Sequence, residues 1–149
     1  MSENEIGTII VDSAIAIHRQ LGPGLLESVY EVVLAYELTS RGLQVQRQLP
    51  ISIVYREMKF EDAFRADLLV ADKVIIELKS VEVLNNAHRK QLQTYLRLTG
   101  LKLGYLLNFG SALMKDGVVR AVNGLEEFRP LFSAPPRLCA TNLNPTLCR

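Results

Sequence analysis

The stretch ADLLVADKVIIELK, residues 66–79, decides the fold. Its apolar runs predict two β-strands, from about Phe64 to Val70 and from Val74 to Ser80, joined by a tight turn at residues 71–73. Both faces of these strands are apolar. The pattern therefore predicts a hairpin at the centre of a sheet rather than at a solvated edge.

Three charged residues interrupt this apolar hairpin: Asp67, Glu77 and Lys79. In the antiparallel register that a three-residue turn sets, Leu68 faces Ile76, so Asp67 faces Glu77. Side chains alternate along a strand, which places all three charges on the same face. If the register were displaced by one residue, Asp67 would leave that face and could not form a site with Glu77 and Lys79.

Two opposed carboxylates in a low-dielectric setting must gain a proton, pair with a cation or bind a metal ion. Lys79 supplies only one positive charge for the two carboxylates. A divalent ion would complete the neutralisation, and Mg²⁺ or Mn²⁺ accepts carboxylate oxygens together with a strand carbonyl and water. The alternative is a cross-strand salt-bridge triad without metal, and the hairpin alone leaves both open.

Helices are predicted before the hairpin. Small and apolar residues recur at helical spacing from Ile6 to Ile17 and predict a first helix that ends near Gly22. A second helix is predicted from about Leu25 to Arg41. Strand-like alternation then follows in two runs on either side of Pro50, which predicts outer strands of the sheet.

Beyond the hairpin, the pattern predicts a helix from Asn85 to Thr99, a strand from Lys102 to Asn108 and a short final strand from Val118 to Val122. This order indicates an α/β domain with a mixed central sheet flanked by helices. We expect a single domain over residues 1–132 and a flexible tail over residues 133–149.

Composition excludes several classes of protein. A chain of 149 residues with 48% hydrophobic residues and a net charge of +1 is typical of a soluble globular domain, not of a strongly basic nucleic-acid module, although a local basic groove remains open. The N-terminus indicates neither signal peptide nor membrane anchor, so we expect a cytoplasmic protein. The two cysteines, Cys139 and Cys148, form neither a zinc framework nor a disulfide scaffold.

Several separated motifs resemble one known family. The segment GLLESVY, residues 24–30, fits the G-x-x-E-x-x-Y signature of the GxxExxY protein family, a branch similar to the PD-(D/E)XK nuclease superfamily. HRQLGPGLLESVY (18–30), RADLLVADKVIIELKSV (65–81) and HRKQLQTYLRLTGLKLGYLLNFG (88–110) resemble that family too, and the resemblance runs from about residue 5 to 124. It implies a restriction-endonuclease-like core.

The resemblance also implies roles for the hairpin residues. Asp67 and Glu77 become ligands for Mg²⁺ or Mn²⁺, with the backbone carbonyl of Leu78 as a candidate third ligand. Lys79 becomes the group that orients or activates the attacking water. Ala66 stands where the superfamily motif has its nominal proline, a position that carries no chemistry.

Glu27, and with it Gln91 and Tyr95, become outer members of the site by the same resemblance. Each has a plainer interpretation. Glu27 lies in a first helical turn, where the helix dipole favours a carboxylate. His88, Gln91 and Tyr95 share one helix face, which is either a solvated stripe or a wall of the cleft. Tyr30 becomes a supporting residue by the same resemblance, and a packed ring whose hydroxyl reaches a polar partner also explains it.

Basic residues form one modest predicted cluster: Arg89, Lys90, Arg97 and Lys102. Arg89 and Lys90 are the candidates to bind phosphate. The plain alternative is a solvated helix face.

Three functions remain open from the sequence. The leading hypothesis is a Mg²⁺-dependent nuclease that hydrolyses phosphodiester bonds. The second is a non-catalytic module that keeps the fold and binds nucleic acid, nucleotide or protein. The third is a protein whose triad is only a structural salt bridge. We expect nucleic acid as the partner, no membrane association and either a monomer or a homo-oligomer, and the sequence does not distinguish DNA from RNA.

Overall fold

A computed structural model of the protein describes residues 1–126. Along these residues run α1 (Glu3–Leu21), α2 (Glu27–Ser40), β1 (Val45–Tyr55), β2 (Met58–Val70), β3 (Val74–Lys79), α3 (Asn86–Thr99), β4 (Leu103–Asn108), a 3₁₀ turn (Met114–Gly117) and β5 (Val118–Val122). The predicted tail and its two cysteines lie outside the described residues. Within residues 1–126, no helix combines the length and the apolar character needed to cross a membrane.

The strands form one sheet in the order β1-β2-β3-β4-β5. β3 and β4 are parallel, with α3 as the crossover between them, and the other neighbouring strands are antiparallel. The predicted α/β fold with a mixed central sheet is confirmed.

Helices cover both faces of the sheet. α1 and α2 pack on one face, where Ile10 and Leu34 join a core cluster with Ile76 of β3. α3 packs on the other face, where Leu92 joins a second cluster with Ile75. Neighbouring residues of β3 thus enter opposite layers, as the predicted alternation requires.

The predicted outer strands need correction. β1 is one continuous strand that passes through Pro50, and β2 begins at Met58, six residues before the predicted start at Phe64. β1 lies at the edge of the sheet, where proline is tolerated because no further strand needs its missing N–H. β1 and β2 therefore form a long antiparallel ribbon.

The register of the central hairpin is confirmed over its inner half. Leu68 pairs with Ile76, and the turn closes at the pair formed by Val70 and Val74. Ala71 and Asp72 both have positive φ, 51° and 56°, as a type I′ hairpin turn requires. The ladder ends at Leu68, so beyond this residue β2 and β3 separate.

Candidate metal centre

Asp67 and Glu77 occupy the gap that opens between β2 and β3. The Asp67 backbone N–H donates to Glu77 Oε1 at 3.3 Å, and the Leu78 N–H donates to Asp67 Oδ2 at 2.8 Å. The predicted encounter of the two carboxylates is therefore observed. The prediction that they form a directly opposed ladder pair is wrong, because the paired residues end at Leu68 and Ile76. Beyond that pair, each carboxylate accepts a backbone N–H of the other strand.

Burial controls the protonation of this pair. Glu77 is 4% exposed, and burial followed by the charge of Asp67 raises its pKa to about 8, an effect that the Asp67 N–H and then the charge of Lys79 oppose. Burial also raises the pKa of Asp67, an effect that the Leu78 N–H opposes and the charge of Glu31 reinforces. At neutral pH, Glu77 therefore holds a proton unless further positive charge arrives.

Lys79 lies two residues beyond Glu77 along β3 and is partly exposed. Within the described part of the chain, no ion pair joins Lys79 to either carboxylate. The salt-bridge triad considered from the sequence is therefore absent. The ammonium group influences Glu77 only through its charge.

The donor set fits a hard divalent cation. A strand residue directs its N–H and C=O to the same side, and the Leu78 N–H points to Asp67. The Leu78 carbonyl accordingly lies on the side of the two carboxylates. Residues 1–126 contain no group of three or more His, Cys, Asp or Glu side chains that could hold a metal. An ion here would thus combine Asp67, Glu77, this carbonyl and water, an all-oxygen set that suits Mg²⁺ or Mn²⁺.

Glu27 lies beside the end of β3 rather than between the carboxylates. Its Oε1 accepts the Ser80 N–H at 3.4 Å, and Ser80 Oγ donates to the Leu25 carbonyl at 2.8 Å. These two bonds join the loop before α2 to the residue after Lys79. The structure therefore places Glu27 near Lys79, and no hydrogen bond among the described residues joins it to Asp67 or Glu77.

Tyr30 is fully buried in the layer of α1 and α2. Its ring stacks on Phe109 with centroids 4.4 Å apart, and its hydroxyl donates to the Gly22 carbonyl at 2.5 Å and accepts the Leu25 N–H at 3.2 Å. The packed-ring interpretation is thus what the structure shows. Tyr30 holds the loop that precedes Glu27, and no hydrogen bond among the described residues joins it to the carboxylates.

Gln91 and Tyr95 form a hydrogen-bonded pair on α3. Gln91 Nε2 donates to the Tyr95 hydroxyl at 2.6 Å, and the Tyr95 ring stacks on Phe64 of β2 at 3.9 Å. Burial and then the charge of Glu77 raise the pKa of Tyr95. His88 does not share this position, since its ring accepts the Asn85 N–H and caps α3.

Two residues near Asp67 were missed from the sequence. Gln48 Nε2 donates to Glu31 Oε2 at 2.8 Å and lies 3.4 Å from Asp67 Oδ1. Glu31 was within reach of sequence reasoning, because it follows Glu27 by four residues and shares its helix face. Nothing in the sequence marks Gln48, because its place beside Asp67 depends on an irregular backbone conformation.

The four predicted cations do not form one cluster. Arg89 and Lys90 are exposed in the first turns of α3, beside the end of β3 that carries Lys79. The helix then runs back across the sheet, so Arg97 lies about 12 Å further along its axis. Lys102 directly precedes β4 at that far end. Only Arg89 and Lys90 are therefore on the carboxylate side.

Comparisons with known proteins identify the family of the chain. The family model of the PD-(D/E)XK nuclease superfamily matches residues 4–121, which include Asp67, Glu77 and Lys79. No curated protein and no solved structure matched the chain. Because the family model spans most of the chain, the protein belongs to the PD-(D/E)XK nuclease superfamily.

Proposed function

We propose that this protein is a nuclease that hydrolyses phosphodiester bonds in nucleic acid with the help of Mg²⁺ or Mn²⁺. One observation carries the proposal: the buried Glu77 and the half-buried Asp67 meet where two central strands separate, and the pKa of Glu77 is raised to about 8. Two carboxylates with only one cation, Lys79, beside them are a strong candidate for binding a further cation. Membership of the superfamily supports nucleic acid as the substrate.

Asp67, Glu77 and the Leu78 carbonyl are the proposed ligands. A bound divalent ion polarises a phosphate and lowers the pKa of bound water. Lys79, next along the strand, would stabilise the negative charge that develops on the phosphate or orient the water. Tyr95 and its partner Gln91 would form the wall of the cleft on the α3 side.

Glu27 and two cations complete the proposed site. Glu27, bonded to the Ser80 N–H, faces the end of β3 and would accept a hydrogen bond from water or substrate there. Arg89 and Lys90 would bind backbone phosphates, because they are exposed at the same end of the sheet.

We also propose that the chain belongs to the GxxExxY branch and acts in the cytoplasm. The three fixed positions of the G-x-x-E-x-x-Y signature, Gly24, Glu27 and Tyr30, each have a physical explanation in this structure. Gly24 has φ 105°, which disfavours any residue with a side chain. Glu27 bonds to Ser80, and Tyr30 bridges Gly22 and Leu25.

The proposal is tested by incubating labelled single-stranded DNA, double-stranded DNA and RNA with the protein and Mg²⁺ or Mn²⁺. We expect cleavage of at least one substrate by wild type, its abolition by EDTA, and losses of at least about 100-fold in Asp67→Asn and Glu77→Gln. Glu57→Gln, an exposed acid in the β1–β2 turn, is the matched control. Equal cleavage by wild type and both site variants would contradict the proposal, and binding of oligonucleotide and Mn²⁺ without cleavage would favour the binding module instead.

A further inference from the structure

Gln48 lies opposite Asp67 in the β1–β2 ribbon. Its neighbours Arg47 and Leu49 both pair with β2 in one continuous register, which leaves Gln48 across from Asp67. The backbone of Gln48 is left-handed, with φ 52°. A residue with a side chain adopts this conformation rarely and at an energetic cost, and such residues concentrate at functional sites.

The ribbon changes layers at this position. Val45 packs against the cluster under α1 and α2, whereas Leu49, an even number of residues further on, packs against the cluster under α3. On β2, Leu68 and Ala66 divide in the same way. Regular alternation would keep Val45 and Leu49 on one face of the sheet, and likewise Ala66 and Leu68. The irregular backbone at Gln48 thus coincides with the change of layer beside Asp67.

The amide of Gln48 spans two carboxylates. A side-chain amide nitrogen carries two N–H donors. Nε2 donates to Glu31 Oε2 at 2.8 Å and to Asp67 Oδ1 at 3.4 Å. Glu31 is 7% exposed and is itself held by Arg47, whose Nε lies 3.0 Å from Oε1. The shorter bond to Glu31 therefore anchors the amide, and its second N–H faces Asp67.

Both oxygens of Asp67 are thereby engaged. Oδ2 accepts the Leu78 N–H at 2.8 Å, and Oδ1 faces the Gln48 amide. With both oxygens bonded, the carboxylate plane has little freedom to rotate. The amide also separates Asp67 from the like charge of Glu31 by donating to each of them.

We propose that Gln48 is a positioning residue for Asp67: anchored on Glu31, its amide holds the Asp67 carboxylate against the Leu78 N–H in the orientation that a divalent ion requires. The orientation of Asp67 is a property of the metal-free protein. Its consequence for the ion rests on the proposed function.

Amide hydrogen exchange of Leu78 in the metal-free protein tests the orientation. Gln48→Met keeps the length of the side chain and removes the donor, so Asp67 should release the Leu78 N–H and exchange there should accelerate about fivefold relative to Ile76. Gln46→Met is the matched control, because Gln46 on the same strand donates to Asp72 at 3.2 Å, beside the hairpin turn. Unchanged exchange at Leu78 in Gln48→Met would overturn the proposal.

Gln48→Gly covers the case in which Gln48→Met unfolds. Glycine accepts a positive φ without strain, so this variant removes the side chain while relieving the backbone. The same selective acceleration at Leu78 is expected. An exchange rate at Leu78 equal to that of wild type in a folded Gln48→Gly protein would likewise overturn the role of the amide.

Calorimetric titration with Mn²⁺ tests the consequence for the ion. Supporting residues behind metal ligands contribute roughly 10- to 100-fold to affinity, so we expect Gln48→Met to bind Mn²⁺ at least about tenfold more weakly than wild type and Gln46→Met. Equal affinity in Gln48→Met and wild type would overturn the positioning role and leave the proposed function standing. Failure of wild type to bind Mn²⁺, with faster exchange at Leu78 in the variant, would overturn the proposed function and support the orientation of Asp67 by Gln48.

Discussion

The Asp67 carboxylate bonds to the backbone N–H of Leu78 at 2.8 Å, where β2 and β3 have ceased to pair with each other. Glu77 reciprocates by accepting the N–H of Asp67. Separating strands would otherwise leave N–H groups without acceptors, and buried N–H groups need partners. The two hydrogen bonds that join β2 to β3 beyond the ladder therefore also hold Asp67 and Glu77 close together.

Metal-free protein should lose stability as the pH rises. The pKa of Glu77 is about 8 in the folded protein against an ordinary value near 4.5, so the folded state binds its proton more tightly than the unfolded state does. The free energy of unfolding then falls as pH rises from about 4.5 to 8, by roughly 2–4 kcal/mol from this group. Urea unfolding in EDTA at pH 5.5, 7 and 8.5 measures the loss.

Glu77→Gln should flatten that dependence, because glutamine carries no titrating proton. We expect the variant to be more stable than wild type at pH 8.5 in EDTA and to bind Mn²⁺ much more weakly. Glu57→Gln, which replaces an exposed carboxylate, should follow wild type. Parallel pH curves for Glu77→Gln and wild type would contradict the assignment of the pKa shift to Glu77.

Tyr95→Phe should separate catalysis from stability. The change removes the hydroxyl that accepts the Gln91 amide N–H but keeps the ring that stacks on Phe64. We expect a loss of nuclease activity of about tenfold, the effect of one hydrogen bond in the site, with little change in Tm. Tyr55→Phe, on the exposed end of the ribbon, is the control for both measurements. A large drop in Tm without loss of activity per folded molecule would assign Tyr95 to the core alone.

Tyr30→Phe should act in the opposite manner, mainly on stability. Its hydroxyl bonds to the Gly22 carbonyl and the Leu25 N–H within a buried layer, so its removal leaves both groups without that partner. We expect a loss of about 1–3 kcal/mol in the free energy of unfolding. Tyr36→Phe, at a tyrosine that is 74% exposed on the same helix, should change it by less than about 0.5 kcal/mol. Equal stabilities of the two variants would show that the loop does not depend on this hydroxyl.

Asn108 should be essential for the loop that follows Lys79. It is 1% exposed, pairs with Lys79 across the parallel ladder, and bonds through its amide to both the N–H and the C=O of Val81 at 3.0 and 2.9 Å. Asn108→Leu leaves these backbone groups unpaired and should lower the free energy of unfolding by about 2–4 kcal/mol. Asn86→Leu, at an exposed position of α3, is the control in chemical denaturation. A loss no larger than that of the control would contradict this role.

The central hairpin could be predicted from residue order alone. Apolar residues on both faces and a three-residue turn left one register compatible with the charges, and the pairing of Leu68 with Ile76 follows it. The point at which the strands separate could not be predicted in this way. The alternation of side chains continues past Leu68, so nothing in it marks the end of the ladder.

Other parts of the site depend on geometry that residue types do not reveal. Glutamine rarely adopts a positive φ, so nothing marked Gln48 as the irregular position opposite Asp67. Glu27 was expected as an outer member of the site, and its position follows from its bond to Ser80 and from the loop that Tyr30 holds. The separation of Arg89 from Lys102 follows from the antiparallel course of α3 over the sheet.

The most direct test of the account is a crystal structure of the protein grown with Mn²⁺ and measured at the manganese absorption edge. We predict an anomalous peak bound by Asp67, Glu77 and the Leu78 carbonyl, with the peak lost in Glu77→Gln. The proposed metal centre would be contradicted if a crystal that contains Mn²⁺ in its solvent showed no peak between the two carboxylates. In that case Glu77 would still accept the Asp67 N–H.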